Sequence, residues 1–202
     1  AAAEPDVQQP IAMAIDDRGR LWIAEAYEYP QRAPNGEGRD RILIFEDTDL
    51  DGTLDSRKVF CEGLNLVSGM EVGFGGVWVG AAPHLLFIPD RNGNDVPDGL
   101  EGDQGSEVRS QRSDDNELST LNSEPSTQLD YPPGTEVLLD GWHYEDTHET
   151  LNAFIWGPDG WLYGCHGVFT HSRVGKPGTP DAERTPLNAA IWRYHPIDHE
   201  FE

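Results

Sequence analysis

Turn dipeptides set between short apolar runs, no window with sustained apolar spacing at i, i+3, i+4 and i+7, and a strand–turn–strand unit met three times predict an all-β chain folded as a partial β-propeller. Asn35-Gly36, Gly19-Arg20 and Pro158-Asp159-Gly160 are turn punctuation of the all-β kind. The first unit covers residues 13–25, with Gly19 in the turn and Trp22 on the second strand. The second covers 70–80, turns at Gly75-Gly76 and carries Trp78. The third covers 154–164, turns at Pro158-Asp159-Gly160 and carries Tyr163. A further apolar run follows each, at 42–45, 85–88 and 190–194, and reads as the outer strand of its unit.

These units make one domain, 1–202, with about three blades at about 10–60, 61–102 and 135–202. A stretch at about 103–133, rich in Ser, Asp, Asn, Gln and Glu, buries too little apolar surface to offset its ordering entropy. It is expected to be a disordered or irregular surface insertion. Propellers bury each sheet face against the next blade, so Trp22, Trp78, Trp156 and Trp192 are expected between sheets rather than on a ligand. A ring needs about four to eight blades, and three units read as a fragment of a six-bladed one. Another stretch of polypeptide is expected to complete it.

The formal charge of −23, from 37 acidic and 14 basic residues, repels phosphate backbones and excludes nucleic acid as a partner. No apolar run is long enough to span a bilayer, and Ala1-Ala2-Ala3 suits a mature end left by small-residue cleavage. Cys61 and Cys165 allow one disulfide or two free thiols, and no CxxC or CxxCH is present.

The most specific motif is DxDxDG at 47–52. Calcium takes about six to eight oxygens, and a tight loop supplies them from alternate side chains and a carbonyl. Asp47, Asp49 and Asp51 fit the first three ligand positions, Thr53 offers a carbonyl and Asp55 completes the set, with Gly52 in the turn. Lys58 stands where an EF-hand has its bidentate Glu. A looser copy has Asp90, Asn92, Asn94, the Val96 carbonyl, Asp98 and Glu101, with Asp95 in place of the turn Gly. Carboxylates gathered on one turn repel each other, and an ion would convert that repulsion into a rigid clasp.

Two other motifs fail. His148-Glu149-Thr150-Leu151-Asn152 lacks the second His of HExxH and runs into strand residues rather than a helix. Gly73-Phe74-Gly75-Gly76 has Trp78 where GxGxxG needs its last Gly.

Arg41-Ile42-Leu43-Ile44-Phe45-Glu46-Asp47-Thr48-Asp49, Asp146-Thr147-His148-Glu149-Thr150-Leu151-Asn152, Trp156-Gly157-Pro158-Asp159-Gly160 and Ile191-Trp192-Arg193-Tyr194-His195-Pro196 together resemble the propeller domain of planctomycete membrane-bound dehydrogenase-like proteins. Those are similar in turn to soluble pyrroloquinoline quinone (PQQ) sugar dehydrogenases. The resemblance implies an extracytoplasmic oxidoreductase that uses Ca²⁺ and PQQ on a sugar-type alcohol and passes electrons to a cytochrome c. It carries the base role to His148, where many relatives have paired His and this chain has His148-Glu149. Arg41 and Arg193 are the cations it offers to the quinone carboxylates. Two further readings stand beside it: a non-catalytic propeller scaffold for a glycan or protein, and a calcium-rigidified surface or assembly protein.

Overall fold

The computed structural model describes residues 2–103 and 131–202, so most of the expected insertion lies outside the described residues. The chain is all-β. Its only helical turns among the described residues are two 3-10 segments, Asp98–Asp103 and Asp181–Glu183. The first sheet runs in chain order through β1 (Pro10–Ile15), β2 (Leu21–Glu25), β3 (Asp40–Glu46) and β4 (Ser56–Leu64). The second does the same with β5 (Val67–Gly73), β6 (Gly76–Ala81), β7 (His84–Pro89) and β8 (Glu136–Asp140). The third contains β9 (Asn152–Trp156) and β10 (Leu162–His166). A hairpin of β11 (Ser172–Val174) and β12 (Thr185–Leu187) intervenes before β13 (Ala190–Tyr194) pairs with β10. All pairings are antiparallel, and no sheet closes on itself.

Two strand assignments differ from the sequence reading. The runs at 42–45 and 85–88 are third strands, not outer ones, because β4 and β8 pair outside them. β4 begins Ser56-Arg57-Lys58, a charged start at the sheet edge, before Phe60 and Cys61 enter the core. Residues 136–140, expected in the third unit, belong to the second sheet instead.

Side chains on a strand alternate between faces, and the second sheet is buried on both. Val77, Val79, Ala81, Leu86 and Ile88 pack with Trp22, Ile42, Ile44 and Phe60 of the first sheet. Trp78, Leu85 and Phe87, their immediate neighbours, pack with Trp142, Leu162, Trp192 and Tyr194 toward the third. β5 lies against β1 on one side and β9 on the other. At Gly80 an added Cβ would come within 3.0 Å of Leu151 and Phe154, so the absent side chain is what lets the third sheet approach. The expected tryptophans are in these layers: Trp22, Trp78 and Trp192 are buried, and Trp156 is packed at the margin. Cys61 is buried in the first layer and Cys165 is exposed, so the two thiols are free.

The outer faces of the first and third sheets are less covered. Met13 and Ile15 on one, and Ile155 and Ile191 on the other, are exposed.

Antiparallel pairing assigns each turn to one of two ends. The β1–β2, β3–β4, β5–β6, β7–β8 and β9–β10 turns share one end, and the β2–β3, β6–β7, β8–β9 and β10–β13 connections share the other. Asp40 fastens this second end. It is fully buried, and its carboxylate accepts the Glu28 amide at 2.9 Å and the Val67 amide at 2.8 Å. Burial raises its pKa above the ordinary carboxylate value, and the bonds from backbone amides offset only part of that rise.

Asp40→Asn should cost about 1–3 kcal/mol, because an amide cannot accept both backbone bonds through its two ends. A raised folded pKa means the carboxyl's contribution is fully present below its unfolded value and declines as pH rises through the folded one. The stability gap between wild type and Asp40→Asn should therefore narrow as pH rises above the unfolded carboxyl value of about 3.9, followed in urea titrations.

Candidate metal loop and histidine face

Asp47 follows directly on β3, so the strand end aims the loop outward. The Asp47 carboxylate accepts the Asp51 amide at 3.1 Å and the Gly52 amide at 2.8 Å. Asp49 accepts the Asp51 amide at 3.2 Å, and Asp51 accepts the Thr53 amide at 2.7 Å. Gly52 sits at φ +93, which a side chain rarely allows, and Leu50 takes φ 62 beside it. These bonds curl the turn until carboxylate oxygens of Asp47, Asp49 and Asp51 all lie within 4.8 Å of one another. Asp55 accepts both the amide and hydroxyl of Thr48, at 3.1 and 2.8 Å, which lowers its pKa. No Lys or Arg forms an ion pair with any of the four among the described residues. Three converging hard oxygen donors without a protein cation fit a divalent ion.

The second loop follows β7 and curls the same way. Asp90 accepts the Asn94 and Asp95 amides at 3.1 Å each, Asn92 accepts the Asn94 amide at 3.0 Å, and Asn94 accepts the Val96 amide at 2.9 Å. Asp98 is bonded by the Arg91 amide and guanidinium. Glu101 lies within the 3-10 segment, and its side chain is outside the described residues.

His148 is at the other end, in the β8–β9 connection. Its Nδ1 lies 3.1 Å from Asp146 Oδ1, and its ring meets Tyr29 edge-on with centroids 5.2 Å apart. With Nδ1–H donating to Asp146, Nε2 keeps its lone pair, and the side chain is exposed. Such a pair can accept a proton from a bound hydroxyl. Buried hydroxyls hold the loop beneath: Thr150 donates to the His143 carbonyl at 2.8 Å, Thr170 to the Asp146 carbonyl at 3.1 Å, and Ser172 accepts the His143 amide at 2.8 Å. His166 is buried under the same loop, with Nδ1 on the Glu149 carbonyl at 3.1 Å. Burial lowers its pKa below the usual imidazole value despite the neighbouring Glu149.

The two arginines expected at a cofactor do not converge. Arg41 lies at the His148 end but pairs with the fully buried Glu25 and covers the Tyr27 ring. Arg193 lies at the opposite end, where it pairs with Glu202 and stacks 4.1 Å from the Trp161 ring centroid. Sequence reasoning did not single out Arg32, Tyr29 or Tyr144. Arg32 and Tyr144 line a cleft of about 480 Å³ with Gln31 and Thr147. The segment is held by Asn65, whose amide exchanges bonds of 3.1 and 3.0 Å with Ala33. Arg32 Nε is buried and without a partner among the described residues. No motif marks these residues, because two chain-distant loops make the cleft.

The acidic loop and the histidine therefore stand a strand length apart. β3 has seven residues, and at a rise of about 3.3 Å each its ends are roughly 20 Å apart. An ion on Asp47, Asp49 and Asp51 cannot touch a molecule held at His148.

A family model described as a domain of unknown function, DUF7133, matches residues 1–113 and 133–202, and the chain belongs to that family. The unmatched residues, 114–132, lie within the polar insertion. No curated protein matches the chain. No helix among the described residues is long and apolar enough to cross a membrane.

Protonating His166 in the folded chain should be unfavourable. Its depressed pKa contributes stability that is present above about pH 6.5 and is lost as pH falls through the folded value. His166→Phe should flatten that part of the pH–stability curve, read from thermal melts between about pH 7.5 and 5.

Proposed function

We propose that this member of the DUF7133 family is a three-blade portion of an extracytoplasmic, calcium-stabilised β-propeller, with Ca²⁺ on Asp47, Asp49 and Asp51 as a structural clasp. The converging triad carries this reading. Without a cation the loop gathers Asp47, Asp49 and Asp51 at its own electrostatic cost, and a dication would offset it. The propeller reading is supported by meandering four-stranded sheets whose first strands lie side by side, and by uncovered apolar faces on the outer sheets. Further sheets of the same kind would cover those faces.

At the opposite end, His148 with Asp146 behind it supports a base that takes the proton of a sugar-type hydroxyl. Oxidation of that alcohol also needs a hydride acceptor, and the resemblance names PQQ, with a cytochrome c taking the electrons onward. The fit to that quinone is poor among the described residues. Arg41 and Arg39 at this end are committed to Glu25 and Glu28, and Arg193 is at the wrong end. Arg32 remains as the cation facing the cleft, and no step is derived through the quinone.

A second reading, a propeller scaffold that presents its histidine end to a glycan or protein, is favoured by the same shortage of cations. One experiment separates the two. Calcium at about a hundredfold over its Kd should stabilise the chelated protein by about 2.7 kcal/mol, and Asp49→Asn should abolish most of the gain. PQQ is then titrated with aldoses present, following absorbance and dye reduction. Saturable binding and turnover lost in His148→Ala establish the dehydrogenase. Calcium stabilisation without quinone binding leaves the scaffold, and no calcium effect removes the clasp.

A further inference from the structure

The loops at 47–55 and 90–98 are two copies of one device in different states of charge. Each joins the third and fourth strands of its sheet. Five side-chain-to-backbone bonds recur at a constant offset in sequence: onto Asp47 twice, Asp49, Asp51 and Asp55 in the first, and onto Asp90 twice, Asn92, Asn94 and Asp98 in the second. The left-handed positions recur too, with Leu50 and Gly52 at φ 62 and 93 and Gly93 and Asp95 at φ 69 and 65.

Resting on the reading of the first loop as a metal site, we infer that the second is a copy whose cation is the protein's own: Arg91, Arg20 and Lys58 hold it closed, and it clasps the first sheet to the second without an ion. Two of its inner positions are amides, so less negative charge converges there than in the first loop. Arg91 stands where the first loop has Thr48, and its guanidinium reaches Asp98 at 2.9 Å and Glu136 at 2.8 Å. That occupies an oxygen an ion would need. Asp95 stands where the first loop has Gly52, and its carboxylate is shared by Arg20 at 2.7 Å and Lys58 at 3.0 Å. Arg20 is buried and also binds Asp16 at 2.8 Å. Lys58 donates to the Asn94 carbonyl at 3.3 Å and Arg18 to the Gly93 carbonyl at 3.3 Å. All three of these partners come from the first sheet's β1–β2 turn and β4.

Lys58 links the two loops. In the first it stands where a bidentate carboxylate would close the ligand set, and instead it crosses to the second. A dication entering the second loop would face Arg91 and Lys58 at close range, and like charges there raise its energy. The same substitutions that weaken the second loop as a metal site make it a bridge between sheets.

The test counts calcium by equilibrium dialysis on the whole chain and follows amide exchange in chelator. One ion per chain is expected, lost in Asp49→Asn and retained in Asp90→Asn. In chelator the amides of Asp51, Gly52 and Thr53 should exchange at least about tenfold faster, while those of Asn94, Asp95 and Val96 change by less than about twofold. Lys58→Met, on a half-exposed side chain, should speed exchange at 94–96 in chelator. A second ion lost in Asp90→Asn, or equal loss of protection in both loops, overturns the inference. If the wild type binds no ion, the metal reading of the first loop fails by itself. The Lys58→Met exchange result then decides the clasp, and no change at 94–96 overturns it.

Discussion

Burial of the second sheet on both faces is the constraint from which the other features follow. Val77 and Val79 face one layer and Trp78 between them faces the other, so β6 cannot shift register by one residue without exchanging its valines for a tryptophan. Trp78 fills its side with rings around it, at 4.8 Å from Phe87, 5.6 Å from Trp156 and 5.9 Å from Tyr194. Its indole N–H is satisfied by the Gly73 carbonyl at 3.0 Å, so burying this ring leaves no polar group of its own stranded. Fixing this sheet fixes its neighbours, since β1 and β9 both lie against β5.

With the three sheets aligned, their turns collect at two ends with different chemistry. At the first, carboxylates are either satisfied by protein or left to converge. Asp16 takes the Arg18 and Arg20 amides, the Arg20 guanidinium and the Trp22 indole, all at 2.8–3.0 Å. These bonds lower its pKa against the opposing effect of burial. Removing a partner from such a buried group costs more than the pair itself contributes, so Arg20 and Asp16 hold each other in place. The triad at 47–51 has no such cationic partner among the described residues, and that contrast, rather than the number of acids, marks it as a metal candidate.

The second end is stapled by neutral groups and buried acids. Asp40, Asn65, Thr150, Thr170 and Ser172 are all buried, and the structure ties each to backbone. This rigid underside leaves Asp146, His148 and Tyr29 exposed or partly exposed above it. The separation of ends keeps the acidic loop roughly a strand length from the exposed His148. Arg41, expected to serve a cofactor, shows how strongly a buried acid can claim a cation: Glu25 is fully buried and holds it against β2.

The sequence by itself determined whatever is written within a few residues. Turn glycines, alternating apolar residues and the spacing of Asp47, Asp49 and Asp51 encode their hydrogen bonds locally, and both acidic loops fold as that spacing requires. The sequence also placed the tryptophans between layers, because a large apolar ring on a strand has nowhere else to go. Only the tertiary structure decided the through-space pairings. β4 and β8 escaped notice because each opens on charged residues at a sheet edge, Arg57 and Lys58 in one and Glu136 in the other, and their apolar runs are short. Tyr29 meets His148, Lys58 crosses to Asp95 and Arg41 meets Glu25 only once the sheets are stacked, since electrostatic and ring contacts depend on distance in space and not on separation along the chain.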